Sequence, residues 1–285
     1  MADGVSYAAN LRRELCFRNA DFAQRHKLSH VPSYGCEPAI VYAPTDDSSI
    51  HGNFYPPSYK AIQKNAAWRL RLNKVHTQAK TSLPRADRRW RELDSCVSSD
   101  ALLMNIFCCP RVLRSRNCAA MLGVDSAARP QFGYRPRVPL SNGHIDRTEV
   151  DLKLGDLLVE AKLTESDFQT QSAALVETYR DLEEVFAITD LPRQNEKYVS
   201  YQLIRNVLAA HAGGETFCLM TDARRPDLIE RWHTIMRCVR PTDLRTRCKV
   251  LTWQELAPEL PAPLQDFLAH KYGIGASAPA FNSAD

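Results

Sequence analysis

Residues 148–163 constrain this chain more than any other stretch. Val150, Leu152 and Leu154 alternate with Asp151 and Lys153, the period of a strand with one buried face. Gly155-Asp156 is a tight-turn pair, because glycine takes the positive φ that short hairpins need. Leu157, Val159, Ala161 and Leu163 share one face of a second strand, and Leu158, Glu160 and Lys162 the other. Pairing the strands across that turn brings Asp151 toward Glu160 and Lys162. Two carboxylates offer hard oxygen ligands to Mg²⁺, which takes one or two protein carboxylates and keeps several waters. A lysine one pleat beyond the glutamate is placed to orient or help deprotonate an attacking water. The plain alternative is a surface hairpin with cross-strand ion pairs, each worth about 0.2–1 kcal/mol.

Asp151 followed, after a short turn, by Glu160-Ala161-Lys162 resembles the D…(D/E)xK signature of the PD-(D/E)XK nuclease superfamily, the restriction-endonuclease-like fold. Val150 stands where the superfamily's proline would be. Other stretches resemble an uncharacterised prokaryotic branch of it: Ser98–Leu102 with Asn105-Ile106-Phe107, Tyr201–Asn206, and Trp253–Leu256. The resemblance spans about Asn53 to Leu256. It implies an α/β fold with an αβββαβ core: a central mixed sheet flanked by helices, here preceded by an N-terminal extension. It also implies a metal-dependent deoxyribonuclease in restriction, defence or repair. Asp151, Glu160 and the Ala161 carbonyl would then ligate Mg²⁺, or Mn²⁺ as substitute, and Lys162 would position the water. Glu149 is a further ligand candidate, as is either Glu92 or Asp100, because a helix before the hairpin often adds an acid in this superfamily. Asp100 is equally placed to cap its helix. Gln202 and Arg205 would support the site from a later helix. Two other functions stay open: a catalytically silent nucleic-acid-binding protein of the same fold, and a subunit of a larger defence assembly.

Charge is distributed unevenly although the net value is only +4. From Pro57 to Arg91 ten Lys/Arg face one acid, with Trp68, His76 and Trp90 interleaved. Lys60, Lys64, Arg69, Arg71 and Lys74 from this run suit a phosphate backbone, where each neutralised charge releases counterions. A second basic run holds Arg111, Arg114, Arg116, Arg129, Arg135 and Arg137, with Asp125 its only acid through Val138. Arg114 and Arg116 are its candidate DNA contacts. Either run could instead be a solvated face.

With 285 residues, 44% of them hydrophobic, the chain can bury a large core. The expected organisation is an extension over 1–56, a nuclease-like domain over 57–274 beginning with a basic helical segment at 57–91, and a tail over 275–285. Nine cysteines without a C-x-x-C pair read as reduced thiols. No run is apolar enough to span a bilayer and the N-terminus lacks a signal peptide's centre, so the expected setting is the cytoplasm without membrane contact. Cutting both DNA strands would favour a homodimer.

Before the hairpin, the pattern predicts a helix from Ala8 to Arg25, a strand at Ala39–Tyr42, a turn at Pro44–Ser49 and a helix capped by Ser58 running to Leu72. A helix capped around Ser98–Asp100 and a strand near Phe132–Val138 come next. After the hairpin it predicts an amphipathic helix over Phe168–Leu182, a helix at Tyr198–Ala212, a strand at Thr216–Thr221, a helix at Pro226–Val239, a strand at Cys248–Trp253 and a closing helix at Pro263–Tyr272.

Overall fold

A computed structural model of the chain describes residues 6–33, 38–43, 50–75 and 90–275. The expected turn at 44–49, residues 76–89 of the basic segment and all but the first residue of the tail lie outside these. The chain forms two compact units, one within Met1–Ala8 and Leu122–Leu251 and the other within Ala9–Met121 and Thr252–Asp285.

The second unit opens with helix α1 (Tyr7–Arg25), followed by the two-stranded antiparallel β1 (His30–Pro32) and β2 (Ile40–Tyr42). Helix α2 (Pro56–Lys64) begins on two prolines, whose fixed φ and missing N–H suit a first turn. Ser58 is therefore inside the helix and not its cap; its buried hydroxyl donates to the Asn105 carbonyl. Nor does one helix reach Leu72. Asn65 adopts extended backbone, ends α2, and caps α3 (Ala66–Arg71) by accepting from the Ala67 and Trp68 amides. Ser98 caps α4 (Ser99–Phe107) by accepting from the Ala101 amide, so Asp100 is released from that duty. All nine residues of α4 are buried, as its unbroken apolar run requires. Helix α5 (Arg116–Leu122) ends this half.

The first unit is built on a five-stranded mixed sheet. Its strands are β3 (Gln131–Tyr134), β6 (Val150–Leu154), β7 (Leu157–Ala161), β11 (Thr216–Thr221) and β12 (Cys248–Thr252), in the spatial order β12-β11-β7-β6-β3. β3 and β7 flank β6 antiparallel, and β11 runs parallel to β7. Between β3 and β6 a small ribbon pairs β4 (Val138–Pro139) with β5 (Ile145–Asp146). β7 is buried throughout while β6 alternates, as central and neighbouring strands should.

The amphipathic helix expected over Phe168–Leu182 does not form. Thr170–Ser172 is instead a strand, β8, with only short helices α6 (Ala173–Val176) and α7 (Leu182–Val185) after it. β8 pairs with β10 (Lys197–Val199), which also pairs with β9 (Arg193–Gln194). Gln169 at φ 62° breaks any helix there, and pairing to a strand nearly thirty residues away wins over the local period. Helices α8 (Tyr201–Gly213), α9 (Pro226–Cys238) and α10 (Thr242–Arg247) complete the unit. Its core joins Val150 and Leu158 of the hairpin to Phe168, Leu203, Val207, Phe217 and Trp232. Helices α11 (Trp253–Leu256) and α12 (Ala262–Tyr272) return to the second unit. No described helix is long and apolar enough to cross a membrane.

The second unit buries Lys271 completely, in a cage of aromatic rings. Its Nζ lies 3.8 Å from the Tyr42 ring centroid and 5.0 Å from that of Phe22, and donates to Asn19 Oδ1 at 2.6 Å and the Gly52 carbonyl at 3.2 Å. Burial pushes its pKa well below the ordinary lysine range, against an opposing pull from Cys96. A lysine whose folded pKa is depressed loses native stability as pH falls below its unfolded value of about 10.4. Lys271→Met is thus expected to be more stable than the parent at pH 7. In urea titrations the margin should shrink toward pH 10, at up to about 1.4 kcal/mol per unit.

Candidate active site

The register of the hairpin settles which side chains meet. Leu152 pairs with Val159, Lys153 with Leu158 and Leu154 with Leu157, across a turn in which Gly155 takes φ 56°. One step further out, Asp151 stands opposite Glu160, on one face of the sheet. Asp151 Oδ2 accepts from the Ala161 amide at 2.8 Å. Lys162, one pleat beyond Glu160, places Nζ 2.9 Å from Glu160 Oε1. Its own amide donates to the Met220 carbonyl, which fixes it to β11. Glu160 and Lys162 are each only 3% exposed, so they are no surface ion pair.

Helix α8 supplies the surroundings. Gln202 and Asn206 are four residues apart and share a face. Gln202 Oε1 accepts from Lys162 Nζ at 3.0 Å, and Asn206 Nδ2 donates to Glu160 Oε2 at 2.9 Å. Arg205 lies buried behind them. It donates to the carbonyls of Thr148 at 2.6 Å and Glu149 at 2.9 Å, and to Asn206 Oδ1 at 2.5 Å. With its oxygen turned to the guanidinium, the Asn206 amide can only point its NH₂ at Glu160.

Buried Arg225 holds the other end of the motif. It donates to the carbonyls of Leu163 at 3.1 Å and Glu165 at 2.8 Å, and forks onto Asp227 at 2.9 and 2.8 Å. Two buried guanidiniums thus bracket the hairpin, one on the backbone entering Asp151 and one on the backbone leaving Lys162. Burial alone would lower the Lys162 pKa, but Glu160, then Glu165 and Asp151, outweigh it and hold the ammonium above the usual lysine range.

The donor set suits a hard divalent cation: two carboxylates and a neighbouring backbone carbonyl, within the one or two protein carboxylates Mg²⁺ uses. Among the described residues no group of three or more His, Cys, Asp or Glu is gathered to hold a metal. Glu149 is half-buried just before β6, and its backbone carbonyl is held by Arg205. In the second unit Asp100 is ion-paired to Arg71 at 3.0 Å and to Lys74, and Lys74 also meets Glu92 at 2.9 Å. Despite burial, Lys74 and Arg71 hold the Asp100 pKa below the usual range. Burial raises that of Glu92. Arg71 and Lys74 therefore spend their charge on these acids, whereas Lys60, Lys64, Arg69, Arg114 and Arg116 are exposed.

No motif in the sequence announces Asn206, Glu165 or Arg225. The four-residue step from Gln202 was the available signal for Asn206. Asn206→Ala should cost about 1–3 kcal/mol in chemical denaturation, because it strips a donor from a buried carboxylate. Asn206→Asp, which sets a second carboxylate against Glu160, should cost more, and the excess should fade on acidification.

A central five-stranded mixed sheet flanked by helices is a restriction-endonuclease-like core. The chain belongs to the REase-ARP family: the family's model, described as Restriction Endonuclease associating with ARP, matches residues 18–273. No curated protein and no solved structure matches the chain.

Proposed function

We propose that this chain is a metal-dependent nuclease of the PD-(D/E)XK type that hydrolyses DNA phosphodiester bonds. The observation that carries the reading is the convergence of Asp151, Glu160 and Lys162 on one face of the hairpin, with Lys162 Nζ 2.9 Å from Glu160 Oε1. The family's description supports an endonuclease.

Asp151, Glu160 and the Ala161 carbonyl would hold Mg²⁺ or Mn²⁺. When bound, such a cation lowers the pKa of water and stabilises charge on the transferring phosphoryl group. The chain's own part is positioning and charge. The Ala161 amide fixes one Asp151 oxygen, and Asn206 fixes one Glu160 oxygen. Lys162, held between Glu160 and Gln202, brings a positive charge that orients the attacking water and stabilises the extra negative charge of the transition state. Hydrolysis then leaves a 5′-phosphate and a 3′-hydroxyl. The association in the family's description supports action beside a partner chain.

The test is incubation of purified protein with plasmid and linear DNA in Mg²⁺, in Mn²⁺ and in chelator. Nicking with either cation that stops in chelator is expected. Binding without nicking under every cation would leave a silent DNA-binding protein.

A further inference from the structure

The β4–β5 ribbon stands at the sheet end where β6 begins. Tyr134, the last residue of β3, pairs with Val150, so the chain leaves β3 beside the entrance to the Asp151 strand. It carries Arg135 and Arg137 into the ribbon, and Arg147 leads out of it. Within the ribbon Val138 pairs with Asp146, which sets Arg137 across from Arg147 one step further along. Like charges placed opposite each other on a ribbon destabilise it. All three arginines are exposed, and none forms an ion pair among the described residues.

The ribbon is nevertheless firmly held. Tyr179 donates to Asp146 Oδ2 at 2.6 Å, the Ser141 amide to the Thr178 carbonyl at 2.8 Å, and the Arg180 amide to the Pro139 carbonyl at 3.1 Å. Asp146 is occupied further by the Thr148 amide and hydroxyl, at 2.8 and 2.6 Å, and sits beside the Tyr179–Tyr201 hydroxyl pair. The fold therefore anchors, on a ribbon held at both strands, three exposed arginines that form no ion pair among the described residues. Arg147 is four residues from Asp151, at most about 14 Å of extended chain.

We propose that Arg135, Arg137 and Arg147 form a phosphate-binding surface that grips the DNA backbone next to the scissile bond. The inference rests on the nuclease reading for its choice of partner. Guanidinium forks bind phosphate in bidentate fashion, and contacts of that kind position a duplex by its backbone without reading its sequence.

The experiment measures binding of a short DNA duplex in Ca²⁺ across a salt series. It compares the wild type, the triple variant Arg135→Gln/Arg137→Gln/Arg147→Gln, and a control triple at exposed Lys197, Arg237 and Arg245. Circular dichroism melting checks that each is folded. The ribbon triple should bind at least tenfold more weakly, and its log–log salt slope should shallow by about 0.9 for every phosphate it no longer neutralises. Its melting point should hold or rise, because the Arg137–Arg147 repulsion is gone. The control triple should match the wild type.

Equal affinity and slope in the ribbon triple would overturn the proposal and hand the arginines to an acidic protein partner. Failure of the wild type to bind DNA would overturn it too. Arginine-dependent binding by a wild type that cuts nothing in Mg²⁺ or Mn²⁺ would sustain this surface and sink the nuclease reading instead.

Discussion

Lys162→Met is expected to cut DNA at least about 10²–10³-fold more slowly than the wild type, while its DNA affinity in Ca²⁺ stays within a few-fold. The lysine contacts Glu160 and Gln202 from a position almost closed to solvent. Removing its charge leaves Glu160 buried with, among the described residues, only the Asn206 amide hydrogen-bonded to it. The same variant should lose about 3–5 kcal/mol of stability, the usual cost of breaking a buried pair from one side. Single-turnover cleavage at a temperature where the variant is folded separates the two effects. A folded Lys162→Met enzyme that cuts at the full rate would remove the lysine from the chemistry.

Arg225→Met should be the most damaging single change outside the acidic pair and its lysine. The substitution strips partners from the Leu163 and Glu165 carbonyls and leaves Asp227 without its fork. Urea denaturation should show about 3–5 kcal/mol lost, with the midpoint shifted and the slope kept. Asp227→Asn should cost less than about 1 kcal/mol, because that carboxylate is partly exposed and the carbonyl bonds survive. If the two variants were equally mild, Arg225 would be filling space and not holding the backbone that leaves Lys162.

The hairpin was legible because its pattern is local. Alternation fixed the faces of β6, a glycine fixed the turn, and the turn fixed the register that sets Asp151 against Glu160. Thr216–Thr221, Pro226–Cys238 and the closing helix were equally plain, each a periodic run bounded by proline, glycine or polar residues. Phe168–Leu182 misled for the opposite reason. Its helical spacing is real, but Gln171 pairs with Tyr198, and strand pairing at that separation leaves no local trace. Ser58 looked like a cap because it follows two prolines, yet Asn65 does the capping one helix later. Arg71 and Lys74 read as basic surface until the fold set them against Asp100 and Glu92. Arg205 and Arg225 act on carbonyls about sixty residues away, and no short motif encodes such long-range bonds.

Crystals of the chain with a short DNA duplex, soaked in Mn²⁺ and measured for anomalous scattering, decide whether the acidic pair holds a divalent cation. A peak is expected between the Asp151 and Glu160 carboxylates, within ligand distance of the Ala161 carbonyl. Well-defined density for both side chains with no peak between them would contradict it.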